Sequence, residues 1–337
     1  MALGIGLSTT KYQAFPPYEM TGSVQYDGND DFAGLGVNGD VPADGTIKML
    51  HGGLTVAAWF KLDVSTSSGG PYNATTNHMI VSCAANGGWF LQFTNKRVQF
   101  GVKLTDGAGN FSAINPTTEF AMGREPTSAT DFKRYLYRSD GWHLAVGTWD
   151  GNRIKKIFLD GGRSVAGDKN GTSSTNFGSA PEITSTSTGT DKSHTTAPSP
   201  SGNNALGENK WFVKYDEVNL NSHRVDVLIG ASPRFNIGTG LTTNIGSEFE
   251  GFVGDVAIWD KALTDTQINT IYNNHRPMDM SIIESANLRG YWKANDAAGT
   301  SIAATVGNNA TLSNGPTITT ITPSLDVTGL VFFFFFF

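Results

Sequence analysis

Along most of this chain apolar residues recur at every second position, the period of a strand, in short runs parted by Gly, Asn and Asp. Residues 23–32 read as a strand entering a tight turn at Asp27-Gly28. In the stretch 54–62, Leu54, Val56 and Ala58 alternate with Thr55, Ala57 and Trp59. Three more strands are predicted over 79–83, 88–93 and 98–104, with turn residues between them. Trp142, Leu144 and Val146 mark another. Asp150-Gly151-Asn152 turns it, and residues 154–159 return to a second turn at Asp160-Gly161-Gly162. Residues 211–219 and 225–229 resume the pattern. Short strands at this regular spacing predict an all-β sandwich or barrel.

The period changes once. Residues 251–259 are apolar or small almost throughout, and Val256, Ile258 and Trp259 suit a strand buried on both faces. Asp260-Lys261 turns the chain. Thr264 and Gln267 stand three apart, the spacing of a capping box, with Leu263 and Ile268 placed for a hydrophobic staple. Asp265 falls in the first turn, where the helix dipole favours a carboxylate. Ile268, Ile271 and Tyr272 share one face, and Pro277 forbids continuation. A short helix with a single apolar stripe has to dock on a sheet.

Two stretches break the rhythm. Residues 106–140, with Pro116, Pro126 and the basic-aromatic run 132–138, read as an insertion at one end of the sandwich. Residues of about 165–210 are dominated by Ser, Thr, Gly, Asn and Pro. They carry too few aliphatic side chains to offset their ordering entropy and read as a functional surface excursion. The expected organisation is an arm (1–22), a body (23–312) and a tail (313–337). The tail ends in Val331 and the run Phe332 to Phe337. Exposed, that run is an aggregation hazard; docked on a neighbouring subunit, it suits an assembly protein; the alternative reading is that the run is not part of the natural sequence.

Composition narrows the classes. A net charge of −6 and a pI near 5.5 leave no electrostatic footprint for nucleic acid or an anionic membrane. The single cysteine, Cys83, excludes an internal disulfide and reads as buried beside Met79, Ile80 and Val81. No stretch reaches the about 20 apolar residues of a membrane-spanning helix. Residues 1–15 show no Sec leader pattern, so the expectation is a chain made and kept in a cytoplasm.

The run from Gly251 to Tyr272, G-x-x-G-D-V-A-I-W-D-K-A-L-T-D-T-Q-I-x-x-I-Y, resembles the closing signature of laminin G-like, concanavalin A-like jelly-roll domains. Trp142-His143, Ala145, Asp150-Gly151, Phe158 and Asp160-Gly161 resemble that family's central hairpin, with Phe158 where the family often has Tyr. Tyr26-Asp27-Gly28-Asn29-Asp30-Asp31 resembles its opening strand, the strand ending near Trp59 its second, and residues 225–229 its penultimate inner strand. Residues 288–293 resemble a strand the family sets beside the opening one. Together these motifs cover about half the chain. The resemblance implies an antiparallel two-sheet jelly-roll sandwich with one short helix near the C-terminal part.

That family works mostly outside cells. Combined with the leaderless start, the resemblance implies a non-enzymatic virion structural protein: a bacteriophage capsid-decoration, head-fibre or tail-adhesin subunit. Its partners would be other virion subunits, further copies of itself and surface glycans, without nucleic acid or membrane insertion. The alternative is a bacterial carbohydrate-binding lectin module exported by a non-Sec route. A third reading is a polysaccharide-degrading enzyme with an acid/base pair of unfamiliar spacing.

Some relatives are glycosidases with E-x-D-x-x-E on one strand, which puts an acid and a nucleophile on one face. Here Glu248-Phe249-Glu250 comes nearest and lacks both partners. Gly34 to Gly39 matches G-x-G-x-x-G, but Asp40-Val41-Pro42 follows instead of a helix, so a glycine-rich turn is expected. No nucleophile elbow, Walker lysine or zinc spacing occurs, and His143 reads as a strand residue. In the run Asp27 to Asp31, Asp27, Asn29 and Asp30 offer clustered hard oxygens for calcium; tight turns use the same residues, and a structural turn is the first reading. Tyr72, Trp149 and Trp211, near predicted loops, are the candidate platforms for stacking on sugar rings, with core or rim packing as the other reading.

Overall fold

The structure is a computed structural model that describes residues 18–34, 53–63, 77–83, 89–94, 97–105, 118–122, 141–150, 155–166, 183–185, 212–213, 227–234, 244–273 and 275–323. The first strands are β1 (Ser23–Asp27), β2 (Phe32–Gly34), β3 (Leu54–Leu62), β4 (His78–Cys83), β5 (Trp89–Thr94), β6 (Arg97–Thr105) and β7 (Thr118–Met122). Next come β8 (Trp142–Trp149), β9 (Lys155–Leu159), β10 (Gly162–Ala166), β11 (Ile183–Ser185), β12 (Phe212–Val213), β13 (Leu228–Ile229), β14 (Ser232–Arg234) and β15 (Asn244–Gly246). The chain then forms β16 (Glu250–Trp259), helix α1 (Asp265–Tyr272), β17 (Leu288–Ala298), β18 (Ser301–Val306), β19 (Ala310–Ser313) and β20 (Thr317–Thr319).

The registers define two antiparallel layers. One runs β9–β8–β3–β16, and β1 and β17 share the far edge of β16. The other runs β7–β6–β5–β4–β13–β2–β19. β17, β18 and β19 pair in succession and join the layers along one side. The fold is an all-β sandwich with one short α-helix, as the patterning predicts, and of the jelly-roll kind that the family resemblance implies.

Strand alternation sorts the side chains into two cores. Leu54, Val56, Ala58 and Phe60 of β3 pack with Trp89, Leu91 and Phe93 of β5 and with Val98, Phe100 and Val102 of β6, filling the space between the layers. Gly147 of β8 makes room there: a Cβ would lie 2.2 Å from the Phe100 ring. On the opposite face of the first layer, Ala57, Trp59, Leu144, Val146, Ala257 and Trp259 pack with Ile268, Ile271 and Tyr272 of α1. The helix stripe predicted from its period is the buried one.

Local bonds fix how the helix docks. Thr264 and Gln267 form the capping box. Buried Thr55 on β3 donates to the Lys261 carbonyl at 2.6 Å and accepts from the Leu263 N–H at 2.9 Å, pinning the turn before the cap. The helix ends at Tyr272 because Asn273 takes a left-handed conformation (φ 47°). Pro277 lies beyond that stop and does not make it. His143 is a strand residue, as expected: its Nδ1 lies 2.8 Å from Asp160 Oδ2, while Asp160 Oδ1 accepts the Leu144 N–H at 3.0 Å. Cys83 is buried.

Several expectations change. The stretch 106–140, read as an insertion, contributes β7, which extends the second layer beside β6. Within 165–210, β11 pairs in parallel with β10. β20 pairs with β1, so part of the segment assigned to the tail belongs to the sheet. β17 does not pair side by side with β1; the two follow one another along the same edge of β16.

Candidate functional site

The turn after β1 gathers carboxylates. Asp27 Oδ1 accepts the Asn29 N–H at 2.9 Å, and Asp31 Oδ2 accepts the Asp27 N–H at 3.1 Å. Asn314 Nδ2 donates to the Asp30 carbonyl at 2.8 Å, fastening the β19–β20 turn to this one. Asp27, Asp30 and Asp31 each bring a carboxylate oxygen within 4.8 Å of the others. Burial pushes the Asp31 carboxyl above its ordinary value; the Asp27 N–H opposes this, and the Asp27 and Asp30 charges add to it. The run from Asp27 to Asp31 offers the cluster in sequence, with Asp27, Asn29 and Asp30 as its candidates; the structure brings Asp31 beside Asp27 and Asp30. The structure gives Asn29 a backbone role in the turn. These hard oxygen donors are the type calcium takes, although two of them already hold N–H groups of the turn itself.

A second carboxylate site was not singled out from the sequence. β16 is bulged between Val253 and Val256, where three residues span two of β3. The bulge falls where the partner along the other edge changes from β1 to β17. Asp255 sits in it, fully buried. Its Oδ1 accepts the Ala294 N–H at 3.0 Å, in place of a ladder partner. Its Oδ2 accepts the phenol of Tyr18 at 2.5 Å and that of Tyr291 at 3.3 Å. Lys293 Nζ stands 5.3 Å from the centroids of both tyrosine rings and is ion-paired with Asp279 at 2.7 Å.

Burial pushes the Asp255 carboxyl up to about 6, against the pull of the Tyr18, Ala294 and Tyr291 hydrogen bonds and the Lys293 charge. Burial and the Asp255 charge together push both phenols up. For Asp279 burial also acts upward, but the hydrogen bonds of Lys293 and Ser281 outweigh it and hold the carboxyl below its ordinary value. The signal available in the sequence was one aspartate inside an otherwise apolar strand. Nothing local named its partners.

The aromatic candidates divide. Trp149 is fully buried between the layers: it pairs with Leu54 on one side and Lys155 on the other, so it lies inside the sheet and not on a loop. Its indole is core packing, which corrects the expectation of a sugar platform. Tyr72 and Trp211 lie outside the described residues.

No family model matches this chain, and no curated protein matches it either. Solved structures do resemble it. One is a Bacteroides ovatus protein described as a candidate carbohydrate-binding protein, with 15% identity and a TM-score of 0.46 over 90% of this chain. This chain spans 60% of that protein's length. Another is the heptameric SAP-like pentraxin of Limulus polyphemus, at 13% identity and a TM-score of 0.40, over 90% of this chain and 96% of the pentraxin. A third is the binding domain of Paraclostridial Mosquitocidal Protein 1, at 10% identity and a TM-score of 0.33, over 77% of this chain and 47% of that one. At these values the likeness is one of chain path.

Proposed function

We propose that this chain binds and builds and does not catalyse: a virion structural protein, of the capsid-decoration, head-fibre or tail-adhesin kind, whose surface holds glycans. The observation that carries the non-catalytic reading is the fate of the buried carboxylates. Among the described residues these are Asp31, Asp160 and Asp255, and each accepts at least one backbone N–H from the fold around it. A glycosidase needs two carboxyl groups free to flank a glycosidic bond. Here the buried acids hold a turn, a hairpin and a bulge.

In support of the virion placement stands the sequence of the tail, whose apolar run Phe332 to Phe337 would suit a contact with a neighbouring subunit. Glycans are the expected ligand of the outer surface, with calcium at Asp27, Asp30 and Asp31 as the accompanying ion. Mass spectrometry of purified virions tests the placement. The expected result is this chain at structural-protein abundance in the particle; its absence from every particle overturns the reading.

A further inference from the structure

The β1–β2 and β19–β20 connections run side by side, and each crosses from one layer to the other. β1 pairs with β20 on the side of the first layer, and β2 pairs with β19 in the second. Asn314 fastens the two crossings: its Nδ2 donates to the Asp30 carbonyl at 2.8 Å. Asn314 sits in the left-handed region (φ 69°), which asparagine tolerates better than most side chains. Gly315 follows with φ 120°, and both residues are exposed. Apart from its chain neighbours, a Cβ at Gly315 would meet only Asp31 Oδ1, at 3.8 Å, so the space around this peptide is open. The sequence holds four Asn-Gly pairs, and this is the one that lies among the described residues.

We propose that Asn314-Gly315 is a self-modification site whose product releases the β19–β20 turn from the acidic turn. The Gly315 nitrogen attacks Cγ, the side-chain carbonyl carbon of Asn314. The N–Cγ bond forms, the Cγ–Nδ2 bond breaks, and Nδ2 leaves as ammonia with the proton given up by the Gly315 N–H. Water then opens the cyclic imide on either side, leaving aspartate or its isomer linked through the side chain. The step consumes water and needs no other reactant. Glycine favours it because no Cβ stands in the way of its nitrogen. The bond to Asp30 holds the leaving nitrogen, so the reaction proceeds from the moments when the two turns part.

The product changes what this position can do. A carboxylate cannot donate to the Asp30 carbonyl. It also adds a negative group beside Asp27, Asp30 and Asp31, whose oxygens already lie within 4.8 Å of one another. The lost bond and the added repulsion act in one direction, and the turns separate. The conversion does not reverse, so it marks the age of each copy of the chain.

Peptide mapping by mass spectrometry of the native full chain, aged at mildly alkaline pH, tests the site. Asn309 is the internal comparison: it is also exposed and its Oδ1 accepts the Ala304 N–H at 3.0 Å, but Ala310 follows it. Asn314 is expected to convert at least about tenfold faster than Asn309, to a mixture of aspartate and isoaspartate. Conversion no faster than that of Asn309 overturns the site. N314D tests the consequence: hydrogen exchange over residues 28–31 and 313–316 should quicken about tenfold while β3 and β16 stay unchanged. Exchange in N314D equal to that of the wild type overturns the release. In N314Q, whose longer side chain cyclises slowly, exchange at these turns should stay constant on ageing, and a rise there overturns the assignment to Asn314.

Discussion

Two places in this molecule gather carboxylates, and they do it in opposite ways. At the bulge, Asp255 is a single acid taken out of water and surrounded by donors from far along the chain: Tyr18, Tyr291 and the Ala294 N–H. At the turn, Asp27, Asp30 and Asp31 crowd one another, and their recorded N–H donors are neighbours within the turn. Both environments raise a carboxyl, but the balance differs. Burial dominates at Asp255, where every charged or hydrogen-bonding neighbour pulls the other way. At Asp31 the like charges of Asp27 and Asp30 add to burial. The bulge uses a charge to join distant strands. The turn tolerates charges because most of them face solvent.

The largest expected contrast is between deletions. D255A leaves two phenols and one N–H without an acceptor in a buried cavity, and should cost about 3 kcal/mol or more in denaturant unfolding. D30A removes one of three like charges at an exposed turn and should change stability by no more than about 0.5 kcal/mol. Equal costs would erase the distinction.

The next effect is its pH dependence. A carboxyl raised on folding stabilises most below its unfolded value, and that contribution is lost as pH rises through the folded one, about 6 for Asp255. Wild-type stability should therefore fall relative to D255N between about pH 4 and pH 7, by on the order of 2 kcal/mol. Paired thermal or urea titrations read the difference; a parallel pair of curves contradicts it.

The capping box gives a local benchmark of intermediate size. T264A removes the hydroxyl that accepts the Gln267 N–H and should cost about 1 kcal/mol, without the pH signature of Asp255. The smallest effect concerns the turn. If calcium relieves the three carboxylates, adding it should raise the melting temperature by about 1–2 °C, and D31N should abolish the rise. A rise that survives in D31N places the ion elsewhere.

The same division explains what could be read from the letters. The helix was legible in start, cap and buried face because those determinants, Thr264 to Tyr272, lie within a few residues of each other, whereas its stop at Asn273 was not. The acidic turn was legible for the same reason, but not that Asp31 in place of Asn29 completes the group, because position alone does not show which turn carboxylate points inward. Asp255 was illegible in role: Tyr18 lies 237 positions away and Ala294 39. Trp149 was misread because it precedes a turn in sequence, whereas pairing with Leu54 and Lys155 carries the sheet through it. The side-by-side placement of β1 and β17 failed because the bulge in β16 lets one edge serve both strands in succession.

The most direct test of the account incubates the full chain with immobilised and free polysaccharides, with and without a calcium chelator, and measures both retention and product length. The account predicts retention on at least one glycan, with the sugar recovered at its original length. Release of shorter oligosaccharides would show an acid/base pair at work and contradict it, and so would the absence of retention on every glycan in both conditions.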